Sequence, residues 1–262
     1  MSEAGAMAKD GHSGDPQAVS LVTANRRGRT TTRLNEINLR FAELAGRASR
    51  PVLDLGCAFG VATHAALEAG ATVHANDIDP AHLEATARDA PAGTAQRLHL
   101  VPGGFPADLE FAPGSLSLVH ASNLLNFLSG AEIETGFAKI AAWLEPGGRF
   151  LSISGSPYAA NIRAFGAIYE ANRAAGVPWP GECHDLPAIS DDPTISELPR
   201  FLHLLDPDVL ARAARAAGLE VEEAQFFHRA GTPDYIALDG RENVVFVARK
   251  PTPEDEKGQM HP

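Results

Sequence analysis

Apolar residues in this chain fall into short continuous runs separated by segments with helical spacing. Val52 to Leu55, the run closing at Asp77, Leu98 to Val101, Leu116 to Ala121 and Phe150 to Ser154 read as strands. Runs this short and this apolar suit strands buried on both faces, as in a parallel sheet. The stretch AGLEVEEAQFF and the segment Asn243 to Lys250 read as two further strands. Helices are predicted between them. One runs through Thr63, Ala66 and Ala69, with Gly70 as its C-cap. A second opens at Asp79, with Pro80 in its first turn. Ser129 to Glu132 is a capping box for a third, which extends to about Leu144 and is stopped by Glu145-Pro146-Gly147-Gly148. Asp206 and Pro207 open a fourth, closed by Gly218. Ahead of all these, Leu34, Ile37, Phe41 and Leu44 mark one face of a helix between Thr31 and Arg47. Strands alternating with helices predict an α/β fold with a doubly wound, mostly parallel sheet.

One interval breaks the alternation. About fifty residues separate Gly155 from Asp206, too many for a simple loop in a compact domain. Asn161 to Ala175 has a helical face of Ile162, Phe165, Ile168 and Tyr169, followed by GVPWPGECHDLP. Residues 156–205 are read as a lid over the C-terminal end of the fifth strand. Residues 1–18 and 251–262 read as disordered tails, 19–48 as an N-terminal helical segment, and 49–250 as the main domain.

Composition narrows the function classes. The chain has 262 residues, 44% of them hydrophobic, and a formal net charge of −11. A nucleic-acid binder normally carries a basic face. The only basic cluster is Arg26, Arg27 and Arg29 with Arg33 nearby, read as a solvated or phosphate-touching loop near the N-terminal helix. No apolar run approaches the roughly 20 residues that span a bilayer, and no signal-peptide pattern opens the chain. Neither a membrane nor a nucleic-acid partner is expected. Cys57 and Cys183 are the only cysteines, and a disulfide at Cys57 would disrupt a tight turn. A reducing cytoplasm is expected.

The chemistry concentrates in PVLDLGCAFG, from Pro51 to Gly60, and in ATVHANDIDP, which places Asp77 at a strand end 21 residues after Gly56. A strand, glycine turn, helix and acid-terminated strand hold a nucleotide-like ligand at the strand ends. A dinucleotide fingerprint needs a central glycine that is missing here. The run instead resembles the first motif of class I S-adenosylmethionine (SAM)-dependent methyltransferases, D-x-G-x-G-x-G with a variable middle glycine. Asp54, Gly56 and Gly60 are kept and Ala58 stands in the middle. GGFPADLEFAPGSLSLVHASNLLNFL, WLEPGGRFLSIS, AGLEVEEAQFF and ENVVFVARK resemble later segments of the same family in order. The resemblance covers about residues 48–155 and 206–250. It implies a seven-stranded sheet with an antiparallel last strand.

The resemblance also implies roles. The turn Gly56, Cys57, Ala58 and Gly60 runs beside the methionine part of SAM. Asp77 takes the ribose hydroxyls, and Ile78 packs on the adenine. Asp54 and Asn123 complete the expected cofactor set. Two departures leave the adenine contacts open. Phe105 stands where an acid often contacts the adenine amino group, and is expected to offer an apolar contact, with Asp108 read as an ordinary loop acid. Ser117 stands where relatives have Asp. Asn123-Leu124-Leu125-Asn126 lacks the prolines of amino-methylating DNA enzymes, and no Pro-Cys nucleophile occurs. Asn126, Tyr158, Trp179 and His184 are expected to line the acceptor pocket, where Asn126 replaces a frequent His. His184 and His203 are the candidate bases, each with an ordinary pKa of about 6.5 suited to the work. His203 fits a structural role as well, and His120, inside a strand, reads as structural. No metal is called for.

These readings converge on transfer of a methyl group to an oxygen or nitrogen of a small molecule. A protein or peptide side chain as acceptor, and a SAM-binding regulator without catalysis, remain open. The missing central glycine and the PGG turn count against a nicotinamide oxidoreductase.

Overall fold

The computed structural model describes residues 20–23, 29–31, 33–190, 192–193, 195 and 198–258. An antiparallel hairpin of β1 (Ser20–Val22) and β2 (Arg29–Thr31) precedes helix α1 (Glu36–Ala45). The core then runs β3 (Val52–Leu55), α2 (Val61–Glu68), β4 (Val73–Asp77), α3 (Pro80–Arg88), β5 (Leu98–Pro102), β6 (Leu116–Ser122), α4 (Gly130–Trp143) and β7 (Leu144–Gly155). The insertion contributes α5 (Arg163–Ala174) and the two-stranded β8 (Glu182–Cys183) and β9 (Leu202–His203). α6 (Pro207–Ala216), β10 (Glu220–Phe227), β11 (Asn243–Arg249) and α7 (Pro253–Gly258) complete the described chain.

The seven-stranded sheet has the order β10-β11-β7-β6-β3-β4-β5. β5, β4, β3, β6 and β7 pair in parallel, and β11 runs antiparallel to both neighbours. From β3 the chain winds outward to β4 and β5, then returns to place β6 on β3's other side. The crevice of such a sheet lies at that reversal, beyond the C-terminal ends of β3 and β6.

Each face is covered. Ile37 and Phe41 of α1 and Ala66 and Leu67 of α2 bury against Leu118, Leu151 and Val247. On the opposite face Phe137 of α4 sits against Phe150 and Phe246, at ring separations of 5.3 and 5.8 Å. Each buried ring of this kind contributes roughly 1.5–3 kcal/mol through area removed from water. The insertion has its own core, built from Tyr158, Phe165, Tyr169, Cys183, Leu186 and Leu204 among others.

Several sequence expectations are corrected. The 19–48 segment is not helical throughout, because a hairpin occupies part of it. α1 starts only at Glu36, where Asn35 and Asn38 form a reciprocal cap. Ile168 does not join the buried face of α5 and is 44% exposed. β7 begins at Leu144 rather than Phe150. Its register jumps from Leu144 opposite Leu116 to Arg149 opposite Leu118, so Glu145 to Gly148 loop out within it. Ser117 and Ser49 hydrogen-bond Glu145 there, and Arg50 pairs with it at 2.8 Å. The 251–262 tail is also structured in part. Thr252 and Asp255 cap α7, and Asp255 pairs with Arg249 at 2.8 Å. Residues 1–19 and 259–262 lie outside the described residues, and the tail expectation there with them.

Candidate functional site

The turn after β3 is set by backbone conformation. Gly56, Ala58 and Gly60 have φ of 64°, 48° and 76°. A Cβ on Gly60 would lie 2.7 Å from Cγ2 of Thr86 and 2.9 Å from Nε2 of His64, so only glycine fits. Ala58 adopts a left-handed conformation that costs an L-residue roughly 1–2 kcal/mol. What holds it there is a bracket. Its N–H donates to Oδ2 of Asp77 at 2.9 Å, and its carbonyl accepts from the Thr86 hydroxyl at 3.1 Å. Cys57 donates its N–H to the Asn76 carbonyl at 2.8 Å. Burial pushes the Cys57 thiol up, and the Asp54 and Asp77 charges add to this, so it stays protonated and inert.

Asp77 ends β4 with its carboxylate already engaged. Oδ2 accepts from Ala58, while Oδ1 accepts from the Asp79 N–H and from Nδ1 of His82, each at 2.9 Å. Burial pushes this carboxyl up, but the His82 and backbone hydrogen bonds outweigh it and hold the group below the ordinary carboxylate range. A carboxylate has about four lone-pair positions. Three are occupied, which leaves one, on Oδ2, for an incoming hydroxyl donor. Sequence reading missed His82, which sits in the first turn of α3 and folds back onto the strand end.

Ile78, next along, is a large apolar side chain left 56% exposed. Gly104 faces it: a Cβ there would stand 3.4 Å from Cδ1 of Ile78 and 3.3 Å from Oδ2 of Asp108. Phe105 is not at this surface. It is 7% exposed and its ring enters the core, packing over Gly136 and against Trp143. This corrects the expected Phe105 contact with adenine: the small Gly136 opens a slot in α4 that draws the ring inward.

Behind the turn, Asp54 is 2% exposed. It accepts from the Thr63 hydroxyl at 2.7 Å and from Nδ1 of His120 at 2.8 Å. Nε2 of His120 meets the Asn38 amide at 3.3 Å, and Phe41 stacks on the imidazole at 4.6 Å. Asp54 therefore anchors α1 and α2 to the sheet beneath the crevice. Asn123 follows β6 with φ of 59° and donates its N–H to the Ile153 carbonyl at 2.8 Å. Asn35 reaches Ser122 at 3.3 Å, which brings the start of α1 to the same edge.

The insertion residues are placed differently from their expected roles. Asn126 is buried, with both amide hydrogens and its oxygen engaged. It donates to the carbonyls of Gly155 and His203 at 2.9 and 2.6 Å and accepts from the Gly155 N–H at 2.8 Å. It ties the β6 end to β7 and β9. Tyr158 is 9% exposed, bonded through its hydroxyl to Glu170 and covered by the Arg241 guanidinium at 3.6 Å. Trp179 lies over Gly130, with His203 at its edge and Arg212 4.9 Å from its centre. His203 is buried, and its Nδ1 bonds the Leu128 carbonyl at 2.9 Å. Burial lowers its pKa, which suits a neutral structural imidazole. His184 is the accessible one: its side chain is 76% exposed, with Nε2 3.8 Å from Glu182. The structure therefore brings Gly56, Ala58, Gly60, Asp77 and Ile78 to one crevice, and sets Asn126, Tyr158, Trp179 and His203 in the scaffold of the insertion.

The crevice suits a nucleoside bearing a flexible polar arm. It has one open carboxylate position for a ribose hydroxyl, an exposed isoleucine for a flat base, and a side-chain-poor turn leading into the N-terminus of α2. No group of three metal-ligating side chains occurs among the described residues.

Comparison with known proteins identifies a domain and a fold. Residues 52–148 match a family model described as a methyltransferase domain. Over 112 residues the chain is 32% identical to an uncharacterised methyltransferase of Synechocystis, covering 43% of this chain and 50% of that protein. The chain thus spans about half the length of the curated relative it matches. The CcbJ methyltransferase of Streptomyces caelestis has the same fold, with a TM-score of 0.56 and 23% identity over 82% of this chain and 96% of its own. The glycopeptide N-methyltransferase MtfA, solved with SAM, superposes with a TM-score of 0.51 and 23% identity over 82% of this chain and 87% of its own. Residues 52–148 thus match a methyltransferase domain, and the strand order with its single antiparallel strand is the fold of class I, Rossmann-like SAM-dependent methyltransferases.

Proposed function

We propose that the protein transfers the methyl group of SAM to an oxygen or nitrogen of a small-molecule acceptor. The observation that carries this reading is the crevice of Gly56, Ala58, Gly60, Asp77 and Ile78 at the point where the strand order reverses. When bound, SAM supplies an electrophilic methyl on a sulfonium. The protein's part is to hold and orient the two reactants, and proximity alone accounts for much of the rate. Asp77 holds the ribose through its open Oδ2 position. Ile78 supports the adenine. The turn and the first turn of α2 receive the methionine portion, whose carboxylate suits a helix N-terminus. Asp54 keeps the turn in place through Thr63 and His120.

Residues 156–205 supply the acceptor side, closing over the ends of β6 and β7. His184 is the base to test, since it alone of the two candidates has a reachable imidazole. His203 holds the insertion to the β6 end instead. The reaction needs no metal. Cys57 and Cys183 are both buried free thiols, in keeping with a cytoplasmic location. No helix among the described residues is long and apolar enough to cross a membrane, and neither a membrane nor a nucleic acid is assigned as partner.

Calorimetric titration with SAM and S-adenosylhomocysteine tests the cofactor. A panel of small hydroxyl and amine compounds, followed by S-adenosylhomocysteine release, tests the acceptor. Binding of both ligands with turnover on the panel supports the reading. Turnover on peptides alone favours a protein acceptor, and binding without any turnover favours a SAM-responsive regulator. Failure of either ligand to bind refutes the cofactor assignment.

A further inference from the structure

The loop between β10 and β11 carries a cation that the fold leaves without a partner. β10 and β7 run in the same direction, and Phe227 and Gly155 both pair with Asn243, so the two strands end together. Arg229 lies two residues beyond Phe227, at the same C-terminal edge of the sheet as the cofactor crevice. The loop is tied down on both sides. The Ala230 N–H donates to Oε1 of Glu36, in the first turn of α1, at 3.0 Å. Asn35, the residue before Glu36, reaches Ser122 at the end of β6. On the far side the Ala160 N–H of the insertion donates to the Ile236 carbonyl at 2.9 Å, and Arg241 covers Tyr158. The N–H and hydroxyl of Thr232 both donate to the Arg229 carbonyl, at 3.1 and 2.7 Å, which sets the backbone of Arg229 itself. The loop therefore joins α1 to the insertion across the edge that an acceptor must approach. The Arg229 side chain is half-buried, yet its guanidinium makes no hydrogen bond or ion pair among the described residues. Burial pulls its pKa below the ordinary arginine range, and the neighbouring Glu36 and Tyr235 pull the other way. An arginine stays ionised through such a shift. Withdrawing its charge from water without a partner is unfavourable, and its donors are left for a ligand.

We propose that Arg229 binds a carboxylate of the methyl acceptor, so that the acceptor is a small carboxylic acid held at the β10–β11 loop while its hydroxyl or amine meets the methyl group. The proposal rests on the methyl-transfer reading given above. The planar guanidinium fork matches a carboxylate through two parallel hydrogen bonds. Glu36 narrows the choice of anion. Its charge lies close to Arg229, and its Oε2 is buried with no hydrogen-bond partner. That charge opposes a doubly charged phosphate monoester more than a singly charged carboxylate.

The test is calorimetry on the full chain saturated with S-adenosylhomocysteine, for wild type, Arg229→Gln and Arg229→Lys. The probes are small aliphatic and aromatic hydroxy and amino carboxylic acids, from lactate to salicylate and anthranilate, each beside its neutral carboxamide, with phenyl phosphate as the dianion. Wild type should bind at least one acid about 10- to 100-fold more tightly than its carboxamide, the range for a hydrogen bond to a charged group. Arg229→Gln should bring that ratio close to one. Arg229→Lys keeps the charge without the fork and should retain only part of the preference. Both variants should bind S-adenosylhomocysteine as wild type does, which shows that they are folded. A lower melting temperature in Arg229→Gln with an unchanged acid-to-carboxamide ratio overturns the proposal and makes Arg229 a structural counter-charge to Glu36. Tighter binding of phenyl phosphate than of every acid overturns the choice of carboxylate. Bound S-adenosylhomocysteine with no acid preferred over its carboxamide, or turnover confined to neutral compounds, overturns this assignment alone. Wild type that does not bind S-adenosylhomocysteine overturns it together with the methyl-transfer reading.

Discussion

Asp77→Asn changes one atom type and keeps the shape, yet the geometry makes it costly. The carboxylate receives three donors: Ala58 on Oδ2, and Asp79 and His82 on Oδ1. An asparagine has one acceptor oxygen and one amide nitrogen. With the nitrogen at the Oδ2 place, it faces the Ala58 N–H, donor against donor. With the nitrogen at Oδ1, it faces the Asp79 N–H, and His82 must change tautomer as well. At least one charge-assisted hydrogen bond in a 5% exposed residue is lost in either case. Such a bond contributes roughly 1.5–3 kcal/mol. At about 2–4 °C per kcal/mol for a domain of this size, the ligand-free protein should melt roughly 3–12 °C lower. S-Adenosylhomocysteine affinity should fall at least about tenfold, because the one open lone pair is altered too. The folded carboxyl lies below its unfolded value of about 3.9. Its stabilisation is therefore present above that pH and is lost as pH falls through the lower folded value. The gap between wild type and variant should be constant near neutrality and close only in acid. The assay is thermal and urea unfolding without ligand, from pH 7 downward, beside calorimetry. Equal melting temperatures at pH 7 would refute the claim that Asp77 is locked by its neighbours before any ligand arrives.

Further tests probe the surrounding structure. Ala58→Gly should raise stability by up to about 1 kcal/mol in urea unfolding, since φ of 48° strains alanine and not glycine; a loss of stability would contradict the strained turn. Asn126→Ala should destabilise the fold by roughly 2–4 kcal/mol, as it strips partners from Gly155 and His203 in a buried site. An unaltered melt with a changed acceptor KM would instead point to a substrate contact. Glu242 accepts from the Leu238, Asp239 and Gly240 amides and from His228. Burial alone would raise its carboxyl, but these bonds bring it to about 2. Its folded value lies below the unfolded value of about 4.3, so the advantage of wild type over Glu242→Gln should hold above that pH and disappear as pH falls toward 2. Unfolding curves across that window check it.

What was legible in the sequence is what local chemistry encodes. β3 matches its predicted bounds because Val52 to Leu55 is a run with no alternation, and the Ser129–Glu132 cap marks the start of α4. The α7 signal was also present in Thr252, Pro253 and Asp255, a cap with proline at the first helical position. The polar composition of the tail conceals it. The site was legible in part for the same reason. Glycines at 56 and 60 answer a backbone demand that can be read at each position. Asn126 could not be read this way. Its partners are Gly155, 29 residues on, and His203, 77 residues on, and they meet it only once the insertion folds back. The orientation of Asp77 is only partly local, since Asp79 and His82 follow it closely but Ala58 comes from the turn 19 residues before. Phe105 shows the limit most clearly. Position in a motif assigned it to adenine, but a side chain goes where space and burial favour it, and Gly136 on a distant helix supplied that space.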